Sequence, residues 1–119
     1  MAQKQYLTKL ENKYNLPKGL LDAVWETESA RGKYLVSPAG AQGHFQFMPA
    51  TAKQYGLENP NDFYASADAA GRMYRDLLKQ TQNDLPKSLA AYNWGIGNVN
   101  RKGLQAAPLE TKHYINKKF

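Results

Sequence analysis

Residues 19–29 read Gly19-Leu20-Leu21-Asp22-Ala23-Val24-Trp25-Glu26-Thr27-Glu28-Ser29, with apolar side chains spaced three and four apart. That period is the signature of an amphipathic helix, and it puts Leu20, Leu21, Val24, Trp25 and Glu28 on one face. Glu26 lies two positions before Glu28, about 200° around the axis, so it joins Asp22 and Ser29 on the solvated face. Upstream, Leu7, Leu10 and Tyr14 recur at the same spacing, and Pro17-Lys18-Gly19 interrupts the pattern. The reading is two antiparallel helices, with Glu28 at the close of the second.

Downstream, the pattern breaks between Gly32 and Gly43, where turn residues permit only a loop or stubby strands. Pro49 suits a first helical turn, so Ala50 to Tyr55 is expected to be helical until Gly56, followed by a turn at Asn59-Pro60-Asn61-Asp62. Tyr64 to Gln80 carries Ala67, Ala70, Met73, Tyr74, Leu77 and Leu78 at helical spacing and reads as the longest amphipathic helix. Pro86 opens another helix through Tyr92, which Gly95 and Gly97 are expected to end. Leu109 to Lys118 forms the last helix after Pro108. The expectation is a mainly α chain of about six helices, a single domain over residues 1–119, with one short irregular or β-like loop segment.

Composition narrows the chemistry. A chain of 119 residues without cysteine has no disulfide and no thiolate-bound zinc, and His44 and His113 alone are too few for a histidine-built metal site. No cofactor is expected. The net charge of +6 favours anionic partners, among which wall peptides, lipid surfaces and nucleic acids all qualify. The lysines and arginines are scattered, with only Arg101-Lys102 and Lys117-Lys118 adjacent, so no nucleic-acid partner is expected. No run of about 20 apolar residues is present and charges intersperse the N-terminus, which predicts no stable membrane insertion and no export address.

Acid catalysis at a glycosidic bond requires a carboxylic acid that stays protonated near neutral pH, a condition that apolar neighbours promote. Glu28 has Leu21, Val24 and Trp25 around it and precedes a Gly/Pro-rich loop, where a rigid element presents a side chain to a cleft. The same pattern also fits a partly exposed glutamate at the margin of an amphipathic helix. Hydrolysis of the lysozyme type uses two carboxylates, yet no aspartate or glutamate lies between Glu28 and Glu58. A substrate with a 2-acetamido group can supply its own nucleophile, which leaves one carboxyl to act as acid and then as base.

Glu28-Ser29, the run Ser37 to Gly43, the run Gln46-Phe47-Met48-Pro49-Ala50-Thr51-Ala52, and Ala91-Tyr92-Asn93-Trp94-Gly95 together resemble the catalytic domain of soluble lytic transglycosylases. The resemblance extends to the closing segment Pro108 to Tyr114 and covers nearly the whole chain. It implies a lysozyme-like helical fold that acts on peptidoglycan glycan strands. The bond between N-acetylmuramic acid and N-acetylglucosamine would be cut by attack of the muramyl 6-hydroxyl, leaving a 1,6-anhydromuramyl end. By the same resemblance, Glu28 is the catalytic residue, and Ser37 and Gln46 hydrogen-bond the substrate beside its acetamido group. Met48 lines a sugar subsite, Tyr92 orients Glu28 or the sugar, and Asn93 braces the cleft. Glu110 matches a position that contacts the stem peptide, although a helix N-terminal carboxylate is an equal reading.

The chain departs from this pattern at His44-Phe45, where Leu-Met is usual, and at Trp94, where a small residue is usual. Three rival readings stand beside it: a hydrolytic muramidase using Asp62 or Asp68, a non-catalytic wall-binding module, and a small basic nucleic-acid binder. A monomer acting in the periplasm or on the cell wall is expected. Its delivery would be by phage, holin release, a secretion machine or processing of a longer protein.

Overall fold

In the computed structural model, residues 2–117 are described, and they form seven α-helices and one 3-10 turn. The helices are α1 (Gln3–Lys13), α2 (Leu20–Ser29), α3 (Pro49–Gln54), α4 (Phe63–Gln80), α5 (Leu85–Trp94), α6 (Ile96–Lys102) and α7 (Leu109–Ile115), with the 3-10 turn Leu104–Ala106 before α7. The mainly α expectation holds, as does a β-like loop. Antiparallel bridges join Val36 to Gln42 and Gln42 to Phe47. The chain divides into two units, Met1–Arg72 and Met73–Phe119, and α4 runs through the division.

In the first unit, Leu7, Leu10, Leu20, Leu21, Val24 and Trp25 are buried, as the helical periodicity of α1 and α2 requires. Trp25, His44 and Phe45 gather around the ring of Phe63, whose centroid lies 4.8 Å from Trp25, 5.3 Å from His44 and 6.0 Å from Phe45. These contacts hold the 43–47 loop against α2 and the start of α4. Glu11 is also buried here. Its carboxylate accepts from the backbone N–H groups of Gly19 (2.9 Å) and Leu21 (2.8 Å), filling the capping role at α2 that Gly19 has no side chain to perform.

The second unit is centred on buried Leu77, Ala90, Ala91 and Val99, with Met73, Tyr92, Trp94, Ile96, Leu104 and Ile115 packed about them. α5 begins at a capped end, where Asp84 accepts from the N–H of Lys87 and Pro86 occupies the first turn. Gly95 ends α5 as expected, with φ 104° and ψ 135°, a conformation that L side chains avoid. Gly97 does not end it: the chain re-enters a helix at once, and Gly97 lies inside α6. Ile96 and Val99 supply the burial that outweighs the low helix propensity of that glycine. The last helix ends at Ile115, short of the expected Lys118, which lies outside the described residues.

Candidate active site

Glu28 sits in the last turn of α2, half-buried. The helix stops abruptly behind it. Ala30, Arg31 and Gly32 all take positive φ (52°, 56° and 92°), two of them non-glycine residues for which this region costs on the order of 1 kcal/mol each. Side chains hold the turn in place. The Arg31 guanidinium reaches back to Asp22 (2.9 Å) and Glu26 (2.7 Å), which keeps the Asp22 carboxyl below its ordinary range. Glu26 is therefore on the exposed face, as its position on the helix predicts.

Ser29 corrects the sequence reading. Expected on the solvated face, it is buried, and its hydroxyl donates to the carbonyl of His44 (2.8 Å) while accepting from the N–H of Gly32 (2.9 Å). Helical phase assigned Ser29 to Glu26's side because the loop that folds back over the helix end is invisible to a helical wheel. One turn earlier, the Trp25 indole donates to Nδ1 of His44 at 3.1 Å. Residue 44 thus grips α2 at Trp25 and at Ser29, on either side of Glu28 in sequence.

The loop that follows presents the next expected residues. Ser37 closes a turn on Ala41: its hydroxyl oxygen accepts from the Ala41 N–H at 3.0 Å, and its own backbone N–H donates to the Ala41 carbonyl at 3.0 Å. The hydroxyl proton is not used in that bond. Gln46 takes a left-handed conformation (φ 53°), and its side-chain amide donates to the carbonyls of Gly43 (2.8 Å) and Leu35 (3.3 Å). Those bonds turn the amide NH2 inward and make Gln46 a staple of the loop, leaving its carbonyl Oε1 as the atom suited to a ligand donor. Met48 is 45% exposed at the N-cap of α3. Such exposure suits an apolar platform and excludes a core role.

The acidic residues named as alternatives to a single-carboxylate site have structural work of their own. Asp62 accepts from the N–H groups of Tyr64 (3.1 Å) and Ala65 (3.4 Å) at the start of α4. Asp68 receives the Tyr14 hydroxyl and pairs with Arg72 at 2.9 Å, while Arg72 also donates to the Tyr55 carbonyl.

Tyr92, Asn93 and Glu110 belong to the second unit. The Tyr92 ring stacks on buried Tyr74 (4.6 Å, 12° between planes), and the hydroxyls of Tyr74 and Tyr114 are 3.3 Å apart. Asn93 accepts from buried Thr111 at 2.7 Å, tying α5 to α7. Glu110 is exposed in the first turn of α7. Glu11, Ser29, Tyr74 and Thr111 are contributors that sequence reading missed, since each is defined by a distant partner.

The chain is thus mainly helical, with a half-buried glutamate at a helix end that the following loop pins in place. The chain belongs to the transglycosylase SLT domain family, which matches residues 5–115. It is 34% identical over 87 residues to a transglycosylase of Enterobacteria phage PRD1, an alignment spanning 73% of this chain and 32% of that protein. It is 33% identical, over 109 aligned positions, to the membrane-bound lytic murein transglycosylase D of Escherichia coli (strain K12), spanning 76% of this chain and 24% of that one. The chain therefore spans about a third or less of these relatives' lengths. The resemblance read from the motifs holds.

Proposed function

We propose that the chain is a peptidoglycan lytic transglycosylase domain in which Glu28 alone performs acid and then base catalysis. Glu28 donates its proton to the glycosidic oxygen as the bond between N-acetylmuramic acid and N-acetylglucosamine breaks. The substrate's acetamido oxygen shields the anomeric carbon. The ionised carboxylate then removes the proton of the muramyl 6-hydroxyl, which closes the 1,6-anhydro ring. Ser37 and Gln46 bind beside the acetamido group, Met48 lines a sugar subsite, Tyr92 orients Glu28 or the sugar, and Asn93 braces the cleft. Glu110 is assigned to the stem peptide.

The observation that carries this reading is the commitment of Asp62 to the α4 cap and of Asp68 to Tyr14 and Arg72, which argues against either as the base of a hydrolase. The whole chain is read as one catalytic domain, monomeric, acting on glycan strands in the periplasm or at the wall. We favour phage lysis or entry as its setting, given the phage PRD1 relative. Among the described residues, no helix is long and apolar enough to cross a membrane.

Mass spectrometry of muropeptides released from purified sacculi tests the reaction. Anhydro ends, lighter by one water than hydrolysed ends, are expected, and hydrolysed ends alone would refute it. Glu28→Gln should abolish release while sacculus binding persists, whereas undiminished release would remove Glu28 from the chemistry.

A further inference from the structure

We propose that His44 is a positioning residue for Glu28: its ring and its carbonyl clamp the last turn of α2, and the ring does so only in its neutral form. The inference rests on the assignment of Glu28 as the reacting carboxyl.

The geometry is specific. The indole N–H of Trp25 donates to Nδ1, so Nδ1 must carry a lone pair and the ring proton resides on Nε2. The carbonyl of the same residue receives Ser29 Oγ, four positions and one helical turn along. Glu28 lies between these two attachments in sequence. The surroundings are shaped to the ring: Phe63 meets it edge-on, and a Cβ on Gly32 would fall 2.6 Å from its Cε1. A leucine, the usual residue at this place by the resemblance, would pack here but offer Trp25 no acceptor.

Protonation reverses the contact, since an imidazolium has a donor at each nitrogen and faces the indole N–H with another N–H. Burial holds the affinity of His44 for a proton below the ordinary histidine value of 6.5, and Asp62, the carboxylate facing it from the start of α4, acts in the opposite sense. α2 and the turn after it carry Asp22, Glu26, Glu28, Arg31 and Lys33, of which Arg31 closes on Asp22 and Glu26. A group whose folded-state value is depressed contributes stability above its ordinary value, and that contribution is lost as pH falls through the depressed one. The clamp is therefore closed at neutral pH and opens below 6.5.

The experiment compares the intact chain with His44→Asn and His44→Leu between pH 4.5 and 7.5. Anhydromuropeptide release is followed together with the nitrogen resonances of His44 and the indole proton of Trp25. Wild-type release is expected to fall by about tenfold across a one-proton step whose midpoint is that of His44, with the indole resonance moving in parallel. His44→Asn places an amide oxygen where Nδ1 was, so it should rescue release at neutral pH and erase the step. His44→Leu should release slowly at every pH. An acid step that survives in His44→Asn, or an indole resonance indifferent to the titration of His44, would overturn the proposal. Full activity in Glu28→Gln would instead sink the assignment of Glu28, leaving the resonances to judge the clamp separately.

Discussion

Glu11 illustrates how much a single buried side chain can carry in the fold. Its buried carboxylate satisfies two N–H groups at the start of the helix that ends in Glu28. Glu11→Ala leaves both donors unpaired, and urea denaturation should show a loss of about 2–4 kcal/mol. Glu11→Gln keeps one acceptor and should lose roughly half of that. A change below about 0.5 kcal/mol for the alanine variant would rule out the capping role. At Gly43 the constraint is steric: with φ at 88° and an added Cβ falling 1.8 Å from the Pro60 carbonyl oxygen, Gly43→Ala requires the backbone to move. That variant should lose more than about 2 kcal/mol, with a drop in melting temperature as the readout. At this scale helical phase made the place of Glu28 at the close of α2 legible in the sequence. Ser29, Glu11 and the inward amide of Gln46 were not, because their meaning depends on carbonyls and N–H groups brought close only by the fold.

Elements were legible wherever burial and capping agreed. Pro49 and Pro86 both occupy first turns, and Tyr64–Gln80 was one residue short of the observed α4. α6 was missed because Gly95 and Gly97 both read as breakers, whereas of these two only Gly95 takes a non-helical conformation. The Asn98 side chain, donating to the Trp94 carbonyl at 2.7 Å, closes the end of α5 and lets α6 start immediately. The pairing of α5 with α7 rests partly on Thr111 and Asn93. Thr111→Val keeps the volume but removes the donor to Asn93, so it should lower stability by about 1 kcal/mol. If Asn93 braces the site as proposed, kcat should fall with little change in KM. Unchanged kcat alongside the stability loss would leave the bond structural only. Asp84→Ala, at the other end of α5, should lose about 1 kcal/mol, measured by the same denaturation.

For the molecule as a whole, the net charge of +6 bears on partners rather than on fold. Three arginines are matched to acids: Arg31 to Asp22 and Glu26, Arg72 to Asp68, and Arg75 to Asp76. The excess is carried mainly by lysines, and every lysine among the described residues is exposed. Scattered exposed charges act singly and are screened beyond about 8–10 Å at physiological salt. Binding to purified sacculi should therefore weaken by roughly threefold to tenfold between 50 and 200 mM salt, against the loss of about 10³–10⁵ expected of a protein neutralising six to ten phosphates. Pull-down with insoluble sacculi and anisotropy with a labelled oligonucleotide, run over the same salt series, separate the two. A shallow salt dependence on sacculi with negligible oligonucleotide binding at 150 mM salt is the expected result. Oligonucleotide binding tighter than sacculus binding, with a steep slope, would return the lysines to nucleic-acid recognition and overturn the assignment of the glycan as partner.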